Sequence, residues 1–114
     1  MNQTPSEIYP ILKAMADENR LRILSLLSPG QLCACQILEN LQIRQSTLSH
    51  HMQVLGQAGL VESWSVGKWT HYRLSPQNMR VVNNFMQGLL AAAANQQAIQ
   101  ADCACERQGA EAKR

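Results

Sequence analysis

Four cysteines carry the most specific chemistry in this 114-residue chain. Cys33 and Cys35 are separated by one residue, and Cys103 and Cys105 repeat that spacing near the far end. Thiolates are soft donors, and a site built only from them selects soft ions. In a small secreted chain four cysteines would suggest two disulfides. The opening Met1-Asn2-Gln3-Thr4-Pro5-Ser6-Glu7 has no basic n-region and no apolar h-region, so a signal peptide is not expected. The expectation is a cytoplasmic protein whose reduced thiols bind metal or sense oxidants. A second group of residues points elsewhere. Ser46, Thr47, Ser49, His50 and Gln53 are polar and non-acidic, with Arg44 and Gln45 just before them. Such side chains approach base edges and phosphates without repelling them.

These groups need a scaffold, and the chain is long enough for one domain. Hydrophobic residues make up 46% of it and aromatics only 4%, which predicts an aliphatic core. The formal charge of +2 is too small to decide for or against a nucleic-acid partner, so charge placement must do so. Phe85 to Ala94 is the longest nearly uncharged apolar run, far short of the roughly 20 residues that span a bilayer; no membrane partner is expected.

Ile8, Ile11, Leu12 and Met15 repeat as one helical face, with Pro5 and Ser6 at its start. Asp17 suits the N-cap of a second helix with Leu21, Leu24 and Leu27 inward, stopped by Ser28-Pro29-Gly30. Ala34, Ile37, Leu38 and Leu41 predict a short third helix. After a turn, Ser46 is the expected N-cap of a fourth, with Leu48, Met52 and Leu55 inward and Gly59 at its end. Two short helices joined by a tight turn are a helix-turn-helix pattern. Leu60 to Ser65 and Trp69 to Leu74 then read as a β-hairpin turning at Val66-Gly67-Lys68, with Trp64 and Trp69 packing on it. Ser75 and Pro76 open a last long helix whose face Val82, Phe85, Met86, Leu89 and Ala93 exceeds what a monomer of this size covers, so a homodimer is expected. Residues 1–101 form the expected domain, and 102–114 a polar, mobile, cysteine-bearing tail.

Within this scaffold the fourth helix turns Ser46, Thr47, Ser49, His50 and Gln53 outward, as a groove-reading helix requires. His51, at the edge of its buried stripe, is expected to be structural and bonded to backbone. Arg44 and Lys68 are candidate phosphate contacts, with His71 and Arg73 on the same hairpin. Cys33 and Cys35 sit at the start of the third helix, where the helix dipole favours thiolate. In an intact helix residues i and i+2 point about 200° apart, so one ion takes both sulfurs only if the first turn is unwound at Cys33 or ligation distorts it.

Helix-turn-helix followed by a basic hairpin is the order of a winged helix, mainly α with a small β-hairpin. Leu12 to Pro76 resembles the ArsR/SmtB family of metal-responsive bacterial repressors. The resemblance is carried by Ala16-Asp17-Glu18-Asn19-Arg20-Leu21-Arg22-Ile23-Leu24, Leu32-Cys33-Ala34-Cys35, Gln45-Ser46-Thr47-Leu48-Ser49-His50-His51-Met52 and Gly67-Lys68-Trp69-Thr70-His71-Tyr72-Arg73-Leu74-Ser75-Pro76. Cys-Ala-Cys on the third helix points to the arsenic-responsive branch. The resemblance implies a homodimer joined through its terminal helices, bound to an inverted-repeat operator and released when As(III) or Sb(III) takes three thiolates. Members closest to this pattern carry a third cysteine three residues after the second, where this chain has Leu38. The third sulfur is then expected from Cys103 or Cys105, in the same subunit or across the dimer. Two other readings stay open. All four sulfurs would make a tetrahedral site for Cd(II), Pb(II) or Zn(II), or Cys33 or Cys35 pairs with a tail cysteine as a redox or persulfide sensor. The last helix lacks the Asp and His ligands of zinc-sensing relatives. An enzyme is not expected, for the chain has no Cys-x-x-Cys within a βαβ pattern, no Ser/His/Asp set and no phosphate-cradling Gly loop.

Overall fold

The computed structural model describes residues 4–96. Its elements follow as α1 (Pro5–Met15), α2 (Glu18–Leu26), β1 (Leu32–Cys33), α3 (Ala34–Asn40), α4 (Gln45–Gln57), β2 (Val61–Val66), β3 (Trp69–Leu74) and α5 (Pro76–Asn95). The fold is mostly helical with a small antiparallel sheet, the winged helix expected. The expected boundary between residues 101 and 102, with Cys103 and Cys105, lies outside the described residues.

Helix starts follow local chemistry. Thr4 and Glu7 form a reciprocal capping box ahead of α1, with Pro5 in the first turn. The Asp17 carboxylate accepts the Arg20 backbone N–H at 3.1 Å and caps α2. The inward stripe of α2 differs from the expected one. Leu21 is 48% exposed, while Ile23, Leu24 and Leu27 are buried. The cause is Arg20, which shares a face with Ile23, Leu24 and Leu27 at helical spacing and is itself turned inward by its bonds. α4 also starts differently: Arg44 is its N-cap, since the Leu48 N–H donates to the Arg44 carbonyl at 3.0 Å. Ser46 therefore lies one residue inside the helix, its hydroxyl free of capping duty.

α4 ends in a left-handed turn. Gly59 has φ +72°, and the Leu60 N–H donates back to the Leu55 carbonyl at 3.0 Å, the wide bond of a Schellman cap. Asn78 of α5 seals this corner by donating from Nδ2 to the Ala58 carbonyl at 2.7 Å.

The hairpin is as anticipated, except that Val66 belongs to β2 and pairs with Trp69. The turn is thus Gly67-Lys68 alone, with Gly67 at φ +62°, the positive φ that a type II′ turn needs at its first central position. β1 was not anticipated. It adds a third strand in the order β1-β3-β2, setting Leu32 opposite Tyr72 and Cys33 opposite His71. At two residues it is too short to show an alternation pattern.

The core is aliphatic: Ile23, Leu27, Ile37, Leu48, Leu55 and Leu60 are all but inaccessible, and Tyr72 is the aromatic that closes it. α5 packs against α1. No residue of α5 is fully buried, and Met86, Leu89 and Leu90 are about half exposed or more.

The corner at Gly59 generates a stability prediction. A Cβ there would meet Asn78 Nδ2, and its backbone would be forced into a region that L side chains avoid. Gly59→Ala is expected to destabilise the fold by about 1–3 kcal/mol, read as a lower urea midpoint with an unchanged slope.

Candidate nucleic-acid interface and thiol pair

α4 separates into two faces. Leu48, His51, Met52 and Leu55 are buried. Arg44, Gln45, Ser46, Ser49, His50 and Gln53 are exposed and Thr47 half-buried. α4 carries no acidic residue in its first turn, where unbonded backbone N–H groups concentrate positive potential. The structure thus groups seven of the sequence-derived candidates on and beside one uncovered helix face that suits phosphate oxygens and base edges.

Behind that face lies a polar anchor that sequence reasoning assigned to the wrong partner. His51 does not bond to backbone. Arg20 Nη1 lies 3.1 Å from His51 Nδ1. A guanidinium only donates, so Nδ1 is the acceptor and the imidazole is neutral with its proton on Nε2. Arg20 Nε donates to the Ala14 carbonyl at 2.6 Å. One side chain therefore ties the end of α1 and the face of α2 to the middle of α4. Burial holds the His51 imidazole below its ordinary pKa of 6.5, against the opposing pull of Asp17. Backbone donation from Arg20 lowers the Asp17 carboxyl in turn.

The hairpin presents a ladder of cross-strand pairs on one face: Glu62 with Arg73, Trp64 with His71, Val66 with Trp69. Arg73 Nε donates to Glu62 at 2.7 Å, and its guanidinium lies 5.1 Å from the Trp64 ring centre. Trp64 stacks on His71 at 5.7 Å between centroids, 16° from parallel. Trp64 thus packs on the hairpin as expected. Trp69 is 57% exposed and pairs with Val66 across the turn. Lys68 is exposed at the tip, with no ion-pair partner among the described residues.

The thiols are arranged by an unwound first turn. Cys33 is not inside α3 but caps it in extended conformation, with φ −84° and ψ 162°. The 200° divergence of an intact helix therefore does not arise, and the two sulfurs stand 2.7 Å apart. Gln36 Oε1 accepts the Cys33 N–H at 2.8 Å and holds this cap. The hydrogen bond between the thiols lowers the Cys33 pKa and raises that of Cys35. Both thiols are free, Cys35 exposed and Cys33 partly so. Among the described residues no cluster of three or more Cys, His, Asp and Glu could hold an ion, and Leu38 is half-buried against the core. The pair suits a thiophilic ion as two donors of a larger set. Cys33 also stands opposite His71, so the thiol site joins the hairpin directly through β1, a link that only strand pairing reveals.

A helix with a polar, non-acidic outer face, an adjoining hairpin and two neighbouring free thiols on one small scaffold fit the plan of a DNA-binding regulator. The pattern of the bacterial regulatory protein arsR family matches residues 17–63. The arsenical resistance operon repressor of Staphylococcus xylosus is 43% identical over 89 residues, covering 72% of this chain and 86% of that one. A cadmium resistance transcriptional regulatory protein CadC homolog of Staphylococcus aureus is 29% identical over 79 residues, covering 68% and 65%. The solved structure of HlyU from Vibrio cholerae superposes with a TM-score of 0.65 at 30% identity, covering 78% of this chain and 97% of that one. The chain belongs to the arsR family of bacterial regulatory proteins: it is a DNA-binding transcriptional regulator and not an enzyme. No helix among the described residues is long and apolar enough to cross a membrane.

The folded His51 pKa lies below the unfolded value near 6.5, so the unfolded chain binds more protons between the two. The contribution of neutral His51 is complete above about pH 6.5 and falls as pH drops through that value toward the folded pKa. His51→Gln is expected to flatten this acid limb in pH-dependent urea unfolding, at reduced stability near neutrality. For the thiols, Cys35→Ala removes the donor to Cys33 and is expected to raise the Cys33 pKa, read from thiolate ultraviolet absorbance during titration.

Proposed function

We propose that this chain is the repressor of a metalloid-resistance operon, acting in the cytoplasm as a homodimer on an inverted-repeat operator. Arsenite or antimonite is the ligand that lowers its affinity. The single observation that carries this reading is the paired Cys33 and Cys35 sulfurs at the cap of α3. That position is built into both halves of the interface: α3 packs on α4, and β1 pairs with β3 of the hairpin. The arsenical resistance repressor among the relatives supports the same ligand class.

Arg44, Gln45, Ser46, Thr47, Ser49, His50 and Gln53 contact the groove and its phosphates, and Lys68, His71 and Arg73 serve the hairpin side. Arg73 is already shared with Glu62, which leaves Lys68 the freer phosphate contact. The half-exposed Met86 and Leu89, together with Leu90, lie on α5, which packs against α1. A second copy covering this terminal-helix surface makes the dimer, and two-fold symmetry in the protein calls for an inverted repeat in the DNA.

Trivalent arsenic takes three thiolates in this reading, and Cys33 and Cys35 supply two. Cys103 or Cys105 supplies the third, within the subunit or from its partner. Closing a third sulfur onto the pair pulls at Cys33, where strand and helix meet, and so shifts α3 and β3 together. A differential affinity of a few kcal/mol suffices to change operator occupancy by tens- to hundreds-fold. The cadmium-resistance relative favours a second reading, in which all four sulfurs hold Cd(II), Pb(II) or Zn(II) tetrahedrally.

The test is an operator-binding titration with arsenite, antimonite, cadmium, lead and zinc. Wild type is expected to be released by arsenite or antimonite, the Cys33→Ser/Cys35→Ser variant to stay bound, and the Cys103→Ser/Cys105→Ser variant to need far more ligand. Release of the Cys33/Cys35 variant at wild-type arsenite concentrations would sink the mechanism. An intact response in the Cys103/Cys105 variant would remove the tail donor alone.

A further inference from the structure

α2 turns Leu21 away from the core, and the exposed side chain lines a groove of about 430 Å³ between α2 and the end of α3. Leu21, Leu26 and Leu41 give this groove an apolar lining, with Asn40 beside them. Glu18 and Arg22 stand at its exposed edge as an ion pair, so its charge is balanced. The groove and the thiol pair lie along one side of α3. Gln36 Oε1 accepts the Cys33 N–H, and Asn40 Nδ2 donates to the Gln36 carbonyl. Cys33, Gln36 and Asn40 stand at i, i+3 and i+7, which is one helical face. Gln36 and Asn40 on that face are exposed. From Cys35 to Asn40 the axial step is about 8 Å, at 1.5 Å per residue.

We propose that this groove is the seat of the chain's own residues 97–101. Ile99 lodges against Leu21, Leu26 and Leu41 when Cys103 or Cys105 closes on the thiol pair. The inference rests on the tail-donor reading and adds to it the surface that receives the tail. Length, composition and charge select this occupant. Residues 97–114 lie outside the described residues, and Ile99 is the one large aliphatic residue among them. It precedes Cys103 by four residues, a reach of up to about 14 Å. The 8 Å step along α3 falls within that reach. One short stretch, running against the direction of α3, thus brings an isoleucine to the groove and a sulfur to the thiol pair. Residues 97–101 carry no charge, which suits an apolar groove whose two ions already satisfy each other. The stretch beyond Cys105 does not suit it, for residues 106–114 contain five charged side chains, Glu106, Arg107, Glu111, Lys113 and Arg114, and no apolar one larger than alanine. Burying Ile99 offsets part of the entropy lost when the segment is held, and so favours delivery of the third thiolate.

The test reads ligand affinity and proximity separately. Arsenite is titrated into the reduced full chain, followed by the ultraviolet absorbance of arsenic–thiolate bonds. Ile99→Asp and Leu21→Ser are each expected to weaken arsenite binding about fivefold or more. The double variant is expected to bind no more weakly than the weaker single one, because both remove the same contact. In the Cys103→Ser/Cys105→Ser background, Ile99→Asp is expected to change nothing. The second measurement needs no arsenite. With the four native cysteines replaced by serine, Leu21→Cys/Ile99→Cys is expected to form a disulfide with oxidised glutathione many times faster than Leu21→Cys/Glu111→Cys. A non-reducing gel shows whether the link lies within one chain or between two. Wild-type arsenite affinity in Ile99→Asp overturns the proposal, and so do equal rates of disulfide formation. A changed oligomeric state in Leu21→Ser at unchanged arsenite affinity also overturns it, making the groove a contact between copies. If Cys103→Ser/Cys105→Ser binds arsenite as wild type does, the tail-donor reading falls first and this seat with it. If that variant is weakened and Ile99→Asp is not, only the seat is lost.

Discussion

Cys33 is at once the last residue of a strand and the cap of a helix. Its backbone is extended, as both roles require, and its N–H is taken by Gln36. That conformation lets Leu32 and Cys33 pair with Tyr72 and His71, and it turns the Cys33 sulfur back toward Cys35. Had α3 begun one residue earlier, the strand would lose half its length and the two sulfurs would diverge. The thiol pair, the third strand and the start of the helix-turn-helix thus depend on one set of backbone angles. A ligand that changes the distance between these sulfurs acts on a junction, with no need for a long chain of intermediaries.

The rest of the scaffold keeps α4 where such a change is felt. Ile37, Leu48, Leu55 and Val61 make α3, α4 and the first strand of the hairpin a single packed unit. Arg20 adds a polar tie from α2 to His51 and the end of α1. Partly buried, and bonded to a neutral imidazole and a carbonyl, it fixes the rotation of α2 about its own axis. The exposed position of Leu21 is a consequence of that rotation. A rigid support matters here because close-packed interiors shift between discrete arrangements and do not yield continuously. Under the proposed mechanism, a small displacement at Cys33 would reach α4 and β3 through this packing.

The two ends of the hairpin illustrate how one element divides its work. Near the core, Tyr72 and Val61 are buried, and the strands pack on α3 and α4. On the outer face Glu62, Arg73, Trp64 and His71 satisfy one another. At the tip, Gly67 supplies the left-handed angle that closes the turn and sets Lys68 and Trp69 outward together. α5 buries none of its residues fully and leaves Met86, Leu89 and Leu90 exposed, the surface assigned above to the proposed dimer.

Local chemistry made much of this legible in advance. The Asp17 cap, the glycine stop of α4, the hairpin and the inward Leu48, Met52 and Leu55 all express short-range rules of periodicity, capping and turn geometry. Each needs only neighbours within about one or two helical turns. The polar face of α4 was legible for the same reason. What the sequence could not decide were features whose partners are remote along the chain. Arg20 reads as a surface residue until His51, 31 positions away, comes alongside. Ser46 looks like a cap until the Arg44 carbonyl begins the helix. β1 exists only because β3 offers a ladder nearly forty residues on, and two residues carry no pattern of their own. The thiol pairing follows from that ladder. Periodicity and caps are written in adjacent residues, and the sequence alone determined the five helices, the hairpin and their order. Which sulfur lies beside which, and which arginine turns inward, was decided by tertiary packing, because those energies arise only once distant segments meet.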